Sequence, residues 1–197
     1  MKKIRNKILD IVFLNKFVYV LVVIAMHIKP RIDKLLGKYS AKKVANKGED
    51  LRIHGRCSIL HADMLEVGNY VRIGKEAYLE CGGGLSIGNN CQISTHLTVH
   101  TMSHNYESKA IPYDLSFVKK PVEIGDSVWI GRHCTITQGV KIGEGAIIGA
   151  NTVVSNDVPE FAIVVGAKQR IVGYRKKDEF HALKQRKAFF GKLFPDS

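Results

Sequence analysis

An aliphatic residue returns every six positions through two long stretches of this chain. Residues 124 to 154 carry Ile124, Ile130, Ile136, Ile142, Ile148 and Val154; residues 67 to 99 carry Val67, Ile73, Leu79, Ile87, Ile93 and Val99. Ile53 and Ile59 lead into the first stretch, and a Gly often follows the aliphatic residue, as at 68, 74, 88, 125, 131, 143 and 149. A period of six suits neither an amphipathic helix nor a long alternating strand. It suits a parallel β-helix, an all-β solenoid in which each hexapeptide forms one short side of a coil and the aliphatic side chain points inward. The Gly is expected at the bend between sides, where a positive φ is cheap without Cβ. The position four after each aliphatic residue should also face inward and be small. It is occupied by Cys57, Val71, Ala77, Cys91, Leu97, Val128, Cys134, Val140, Ala146, Thr152 and Val158. Stacked coils share one core, so no repeat need be stable alone.

The interruptions of the period divide the chain. Val99 and Ile124 stand 25 positions apart, which leaves 19 residues outside the repeat. So long an excursion from a regular solenoid is usually functional. It holds Thr101-Met102-Ser103-His104-Asn105-Tyr106 and ends at Pro121. Two gaps of eight, Ile59 to Val67 and Leu79 to Ile87, are milder; the second contains Gly82-Gly83-Gly84. A bulged turn, a close approach to something and a tolerated wide corner all fit these glycines, and the wide corner is the reading taken. The organisation expected is an N-terminal helix and basic connector over 1–50, a solenoid over 51–172 with an extruded loop at 100–121, and a capping helix over 173–197. In the last segment Phe180, Leu183, Phe190 and Phe194 share a face ringed by lysines and arginines.

The apolar run Phe17–Met26 follows Lys2, Lys3, Arg5 and Lys7 and precedes His27, Lys29 and Arg31, with no small-residue cleavage site after it. Ten helical residues span about 15 Å, half a bilayer core. The run therefore reads as a helix that packs on a neighbour or lies on a membrane surface, not one that spans. Residues 29 to 50, with Pro30, Gly37 and Gly48, read as a connector with a helical turn or two.

Charge changes the picture more than composition does. A formal net charge of +12 implies an anionic partner: phosphates, nucleic acid or an acidic membrane surface. Nucleic acid is set aside because no Lys/Arg run is interleaved with aromatics. The cysteines, Cys57, Cys81, Cys91 and Cys134, form no CxxC and read as buried free thiols, which fits a reducing cytoplasm.

The repeats and the loop together resemble the hexapeptide-repeat acyltransferases over about residues 50 to 172. The resemblance implies a left-handed β-helix and a homotrimer with active sites between subunits. It also implies acetyl-CoA as co-substrate and no metal. Ser103-His104-Asn105-Tyr106 matches the loop motif whose His is the catalytic base in that family. A sugar hydroxyl has too high a pKa to attack a thioester unaided, and a neutral imidazole within hydrogen-bond reach takes its proton. Glu107, Asp114 or a backbone carbonyl is available to hold the other ring nitrogen. Val128-Trp129-Ile130-Gly131 resembles the segment beside the pantetheine channel. By the same resemblance the CoA contacts fall at Trp129, Arg132, Ala150, Ser155, Asn156 and Arg170. Two departures matter: Ser155-Asn156-Asp157 stands where many members have Thr-Lys-Asp, and Gly166-Ala167-Lys168-Gln169-Arg170 where many have Gly-Asn-Pro-Ala-Lys. The 3′-phosphate contact is then expected to move to Lys168, Arg170 or Arg175.

On the acceptor side the Gly-rich corner looks more like members that O-acetylate surface polysaccharides than like the small-sugar enzymes, with Gly82, Gly83, Asn90 and Tyr106 as acceptor-binding candidates. The function implied is O-acetylation of a capsule, lipopolysaccharide or exopolysaccharide precursor in the cytoplasm, with the basic ends near the inner membrane face. Two alternatives share the scaffold. One is N-acetylation of a nucleotide amino-sugar. The other is a zinc enzyme of carbonic-anhydrase type using His100, His104 and a third His from a neighbour.

Overall fold

The computed structural model describes residues 2–105, 115–166, 169–174 and 176–188. Three parallel sheets form the sides of a prism, and each coil visits them in turn. Sheet A stacks Asn46–Lys47, Leu65–Val67, Leu85–Ile87, Val122–Ile124 and Lys141–Ile142. Sheet B stacks Arg52–His54, Arg72–Gly74, Gln92–Ile93, Trp129–Ile130, Ile147–Ile148 and Ala162–Val165. Sheet C stacks Cys57–Leu60, Ala77–Glu80, Thr98–His100, Thr135–Ile136 and Val153–Val154. The six-residue period becomes a register. Ile53, Ile73, Ile93, Ile130, Ile148 and Val164 lie directly over one another in sheet B, all buried. The small inward set from Cys57 to Val158 is buried throughout.

The glycines that follow the aliphatic residues serve a different purpose from the one expected. The left-handed residues of the corners lie two positions later, at Tyr70, Asn90 and Ser127 between sheets A and B and at Glu76, His96, His133 and Asn151 between B and C. The glycines instead allow coils to stack closely. A Cβ on Gly74 would sit 2.5 Å from the backbone of Ser94 and Thr95, and one on Gly131 would sit 2.6 Å from the Ala150 nitrogen. The polar corner residues tie coil to coil. At the A–B corner Asn69 Oδ1 accepts the Glu49 N–H, Asn89 Oδ1 the Asn69 N–H and Asp126 Oδ1 the Asn89 N–H, at 2.7, 2.9 and 2.7 Å.

The N-terminal end departs most from expectation. A single helix, α1 (Lys2–Lys42), runs through Pro30 and takes in most of the expected connector. Pro30 removes one i→i−4 hydrogen bond, but Arg31, Lys34, Leu35, Leu36 and Lys38 are strong helix formers that carry the helix on. Its C-terminal part closes the prism. Gly37 is buried against sheet B, where a Cβ would lie 1.8 Å from the Ile53 carbonyl oxygen, and Ser40 Oγ accepts the Cys57 N–H at 3.3 Å. Sheet A begins at Asn46, so the first coil starts before residue 51. Between Phe17 and Leu35 the helix exposes its apolar side chains on every side; Tyr19 is 70% and Met26 68% exposed. No helix among the described residues is long and apolar enough to cross a membrane.

The C-terminal end folds back rather than running out of the prism. Arg170–Tyr174 pairs antiparallel with Ala162–Val165. The helix that follows, α2 (Lys177–Gln185), lays Phe180 edge-on to Phe161 at 5.0 Å. Lys184 pairs with Glu144, which ties α2 to the A–B corner. Phe190 and Phe194 lie outside the described residues.

Candidate functional site

The excursion leaves the prism at the corner between sheets C and A as a two-stranded antiparallel arm, Met102–His104 against Phe117–Lys119. Met102 faces Lys119, Ser103 faces Val118 and His104 faces Phe117. Asn105 N–H donates to the Ser116 carbonyl at 3.1 Å and extends the ladder by a step. His104 therefore stands near the outer end of a hydrogen-bonded ladder, exposed, with its ring 4.6 Å from that of Phe117. Gln138, at the same corner one coil on, donates to Ser103 Oγ at 3.2 Å and steadies the arm from the side. Two of the groups considered as partners for the His104 ring, Glu107 and Asp114, lie outside the described residues, as does Tyr106.

The base of the arm explains Gly82-Gly83-Gly84, and the explanation is close approach, not a wide corner. A Cβ on Gly83 would sit 2.1 Å from the Thr101 carbonyl oxygen and one on Gly82 would sit 2.8 Å from Met102 Sδ. Gly83 N–H donates to Thr101 Oγ1 at 2.8 Å and Gly82 N–H to Glu80 Oε1 at 2.7 Å. These two N–H groups are thus occupied inside the chain. Both glycines thereby support the root of the arm. Gly83→Ala is expected to displace the arm root and cut turnover by about tenfold or more, while the unfolding midpoint of the coils shifts little; steady-state rates and a urea curve on one preparation check both.

The remaining candidates are spread over the prism. Trp129 lies on the outer face of sheet B in register with Gln92 and Ile147, and it is 54% exposed. Arg132 and Ala150 stand one coil apart at the B–C corner, both exposed. There His96 and His133 stack at 4.4 Å beside Arg132. Ser155 and Asn156 are exposed at the C–A corner, and Arg170 is exposed on the returning strand. Lys168 and Arg175 lie outside the described residues. Asn90 sits at the A–B corner and donates to Ser127 Oγ at 3.3 Å, a tie between coils away from the arm. Sheet B is the side of the prism opposite the C–A corner. Within one chain, then, the arm and Trp129 lie on opposite sides of the core.

An open trough of about 850 Å³ runs along the outer face of sheet A, lined among others by Glu66, Glu123, Lys141, Asp157 and Glu160. Neither His104 nor Trp129 lines it. The thiols offer no nucleophile: burial pushes Cys57, Cys81 and Cys91 up to about 12 and raises Cys134 as well. Among the described residues no three His, Cys, Asp or Glu side chains gather to hold a metal ion. His100 lies across sheet C from Tyr78, with ring centroids 6.1 Å apart.

Sequence reasoning did not find Glu80, Thr101, Phe117 or Gln138. The one available signal was the eight-residue gap that contains the glycines, since something had to approach that corner.

Comparison with known proteins agrees with this architecture. Residues 121–156 match the family described as bacterial transferase hexapeptide (six repeats). A protein of Escherichia coli (strain K12) with the provisional name lipopolysaccharide biosynthesis O-acetyl transferase WbbJ is 30% identical over 128 residues, 64% of this chain and 65% of WbbJ. Galactoside O-acetyltransferase of the same strain is 33% identical over 90 residues, 45% of this chain and 43% of that protein. The crystal structure of a hexapeptide-repeat-containing acetyltransferase from Vibrio cholerae O1 biovar eltor, complexed with acetyl coenzyme A, superposes with a TM-score of 0.66. It has 26% identity and covers 77% of this chain and 85% of that one. The chain spans from 39% to 65% of the length of the first curated relatives it matches.

Proposed function

We propose that this chain, a hexapeptide-repeat β-solenoid, is an acetyl-CoA-dependent O-acetyltransferase whose acceptor is a sugar hydroxyl of a surface-polysaccharide precursor. The observation that carries the reading is the arm: a single long excursion from a regular prism, holding an exposed imidazole on a short, rigid ladder. The solved relative in complex with acetyl coenzyme A supports the donor. The relatives named for O-acetyl transfer to lipopolysaccharide and to galactosides support a sugar acceptor.

In this reading His104 is the general base. Its neutral imidazole takes the hydroxyl proton as the acceptor oxygen bonds to the thioester carbonyl carbon. A backbone N–H donor stabilises the tetrahedral oxyanion. Its collapse breaks the C–S bond, and the departing CoA sulfur receives the proton from the imidazolium. No covalent enzyme intermediate forms, in keeping with the buried thiols. The donor lies against Trp129, Arg132 and Ala150, with Ser155, Asn156, Lys168 and Arg170 as further contacts. Because the arm and Trp129 lie on opposite sides of one prism, a site using both is assembled from two copies, and a cyclic trimer gives three such sites. The test is incubation with acetyl-CoA and lipid-linked glycan precursors, read by mass spectrometry. A gain of ~42 Da that alkali removes is expected, as for an ester. An alkali-stable gain confined to nucleotide amino-sugars would move the activity to N-acetylation.

The exposed apolar stretch of α1, flanked by Lys16, Lys29, Arg31, Lys34 and Lys38, supports a place at the inner membrane face. Deleting residues 1–28 keeps Gly37, Ser40 and Val44, which pack on the prism. The truncated protein is therefore expected to keep its turnover and lose most of its cosedimentation with anionic vesicles. Undiminished cosedimentation, or loss of the assembled form, would assign α1 a role within the oligomer instead.

A further inference from the structure

Glu80 ends its strand in sheet C, in register with His100, and is only 7% exposed. Its carboxylate gathers backbone N–H groups from two separate segments. Oε1 accepts from Gly82 at 2.7 Å; Oε2 accepts from Met102 at 3.1 Å and from Thr101 at 3.3 Å. Its carbonyl accepts the Thr101 hydroxyl proton at 2.9 Å. Thr101 is itself fully buried and spends its remaining groups on the same junction. Its Oγ1 accepts the Gly83 N–H at 2.8 Å, and its carbonyl accepts the N–H of Lys120, from the returning strand, at 2.9 Å. The outgoing strand of the arm is thus tied to the carboxylate directly, and the returning strand is tied to the same junction through the Thr101 carbonyl.

We infer that Glu80 is a positioning residue for the reaction: it fixes the root of the arm and thereby the place of the His104 imidazole. The inference rests on His104 being the base. Met102 is two residues from His104 on one strand, and the three paired positions between root and tip make a stiff lever. A displacement at the root is passed to the ring, and about 1 Å of misplacement is enough to cost ~10²-fold in rate. The chemistry asks for a carboxylate in particular. Three N–H donors converge on two acceptor oxygens, and an amide would present an NH₂ to at least one of them. A donor left unpaired in a buried place loosens the structure locally.

The test is Glu80→Gln in the full-length assembled protein, read in two ways. Turnover is expected to fall about ten- to a hundredfold with KM for acetyl-CoA unchanged, because the contacts assigned to the donor, on sheet B, at the B–C corner and two coils further along the C–A corner, do not touch the arm root. Hydrogen exchange at the Thr101 and Met102 amides is expected to quicken about tenfold or more, while the Ile130 and Ile148 amides keep their protection. Thr101→Val, which removes the hydroxyl from the same junction, serves if the glutamine variant does not assemble, and the same split is expected. Unchanged exchange at Thr101 and Met102, or unchanged turnover with quickened exchange, would overturn the assignment. The base is judged separately: full activity in His104→Ala removes the base reading whatever the exchange data show.

Discussion

His104→Ala is expected to lower turnover by about 10²–10⁴-fold and to leave the affinity for acetyl-CoA nearly unchanged. The size follows from the role: without the imidazole the hydroxyl proton must go to water, and the transition state loses its acceptor. The selectivity follows from the geometry. The arm is held by backbone pairing and by the Glu80 junction, and neither depends on the His104 ring. Of the groups assigned to the donor, Trp129 is on sheet B and Arg132 and Ala150 are at the B–C corner, while Ser155 and Asn156 share the C–A corner two coils beyond the arm. Initial rates at saturating donor, with calorimetric titration of CoA, separate the two quantities. A variant with full turnover would remove His104 from the chemistry, and one that also loses CoA affinity would make the residue a binding contact.

Ile136→Ala is expected to destabilise the solenoid by about 2–5 kcal/mol, with Ile136→Val costing about 0.5–1.5 kcal/mol. Ile136 is fully buried in sheet C, directly between Val99 of the coil before and Val154 of the coil after. Truncation removes contacts on both sides, and the neighbours cannot collapse into the gap because their own registers are fixed by further coils. A narrow core made largely of β-branched side chains has few alternative rotamers with which to refill it. Urea midpoints of the two variants, compared at equal protein concentration, check the order and the spread. Equal costs would mean that the prism relaxes freely around the cavity.

The coils were legible in the sequence because a strictly local rule, one inward aliphatic residue per side, repeats until chance is excluded. Each repeat then needs only its neighbours, and the register follows. The same rule hid the purpose of the glycines. Periodicity marks where Gly stands but not whether it is there for φ or for proximity. In this prism it is the latter at Gly74 and Gly131, with the left-handed turn passed to residues such as His96 and Asn151. The Gly82–Gly84 corner was misread for a related reason. Its cause is Thr101, far along the chain and inside the excursion, where the repeat carries no information. The extent of α1 was hidden by Pro30, which punctuates most sequences but here costs one hydrogen bond in a helix long enough to bear it. His104 drew notice because the excursion that bears it is conspicuous, and the structure places it on the arm. Asn90 shows what a sequence cannot separate, since a polar corner residue that ties coils together looks the same there as one that meets a ligand.

In the proposed assembly His104 from one copy and the sheet B face of another make a single site. The direct measurement is turnover of mixed trimers. His104→Ala and the double variant Trp129→Ala/Arg132→Ala are coexpressed with different tags and isolated by tandem purification, so that every assembly contains both. Each mixed trimer then has one site with an intact imidazole facing an intact sheet B surface, and about one third of wild-type turnover is predicted although each variant alone is nearly inactive. Turnover no higher than that of the two inactive parents would contradict the shared site and, with it, the account of how this prism works.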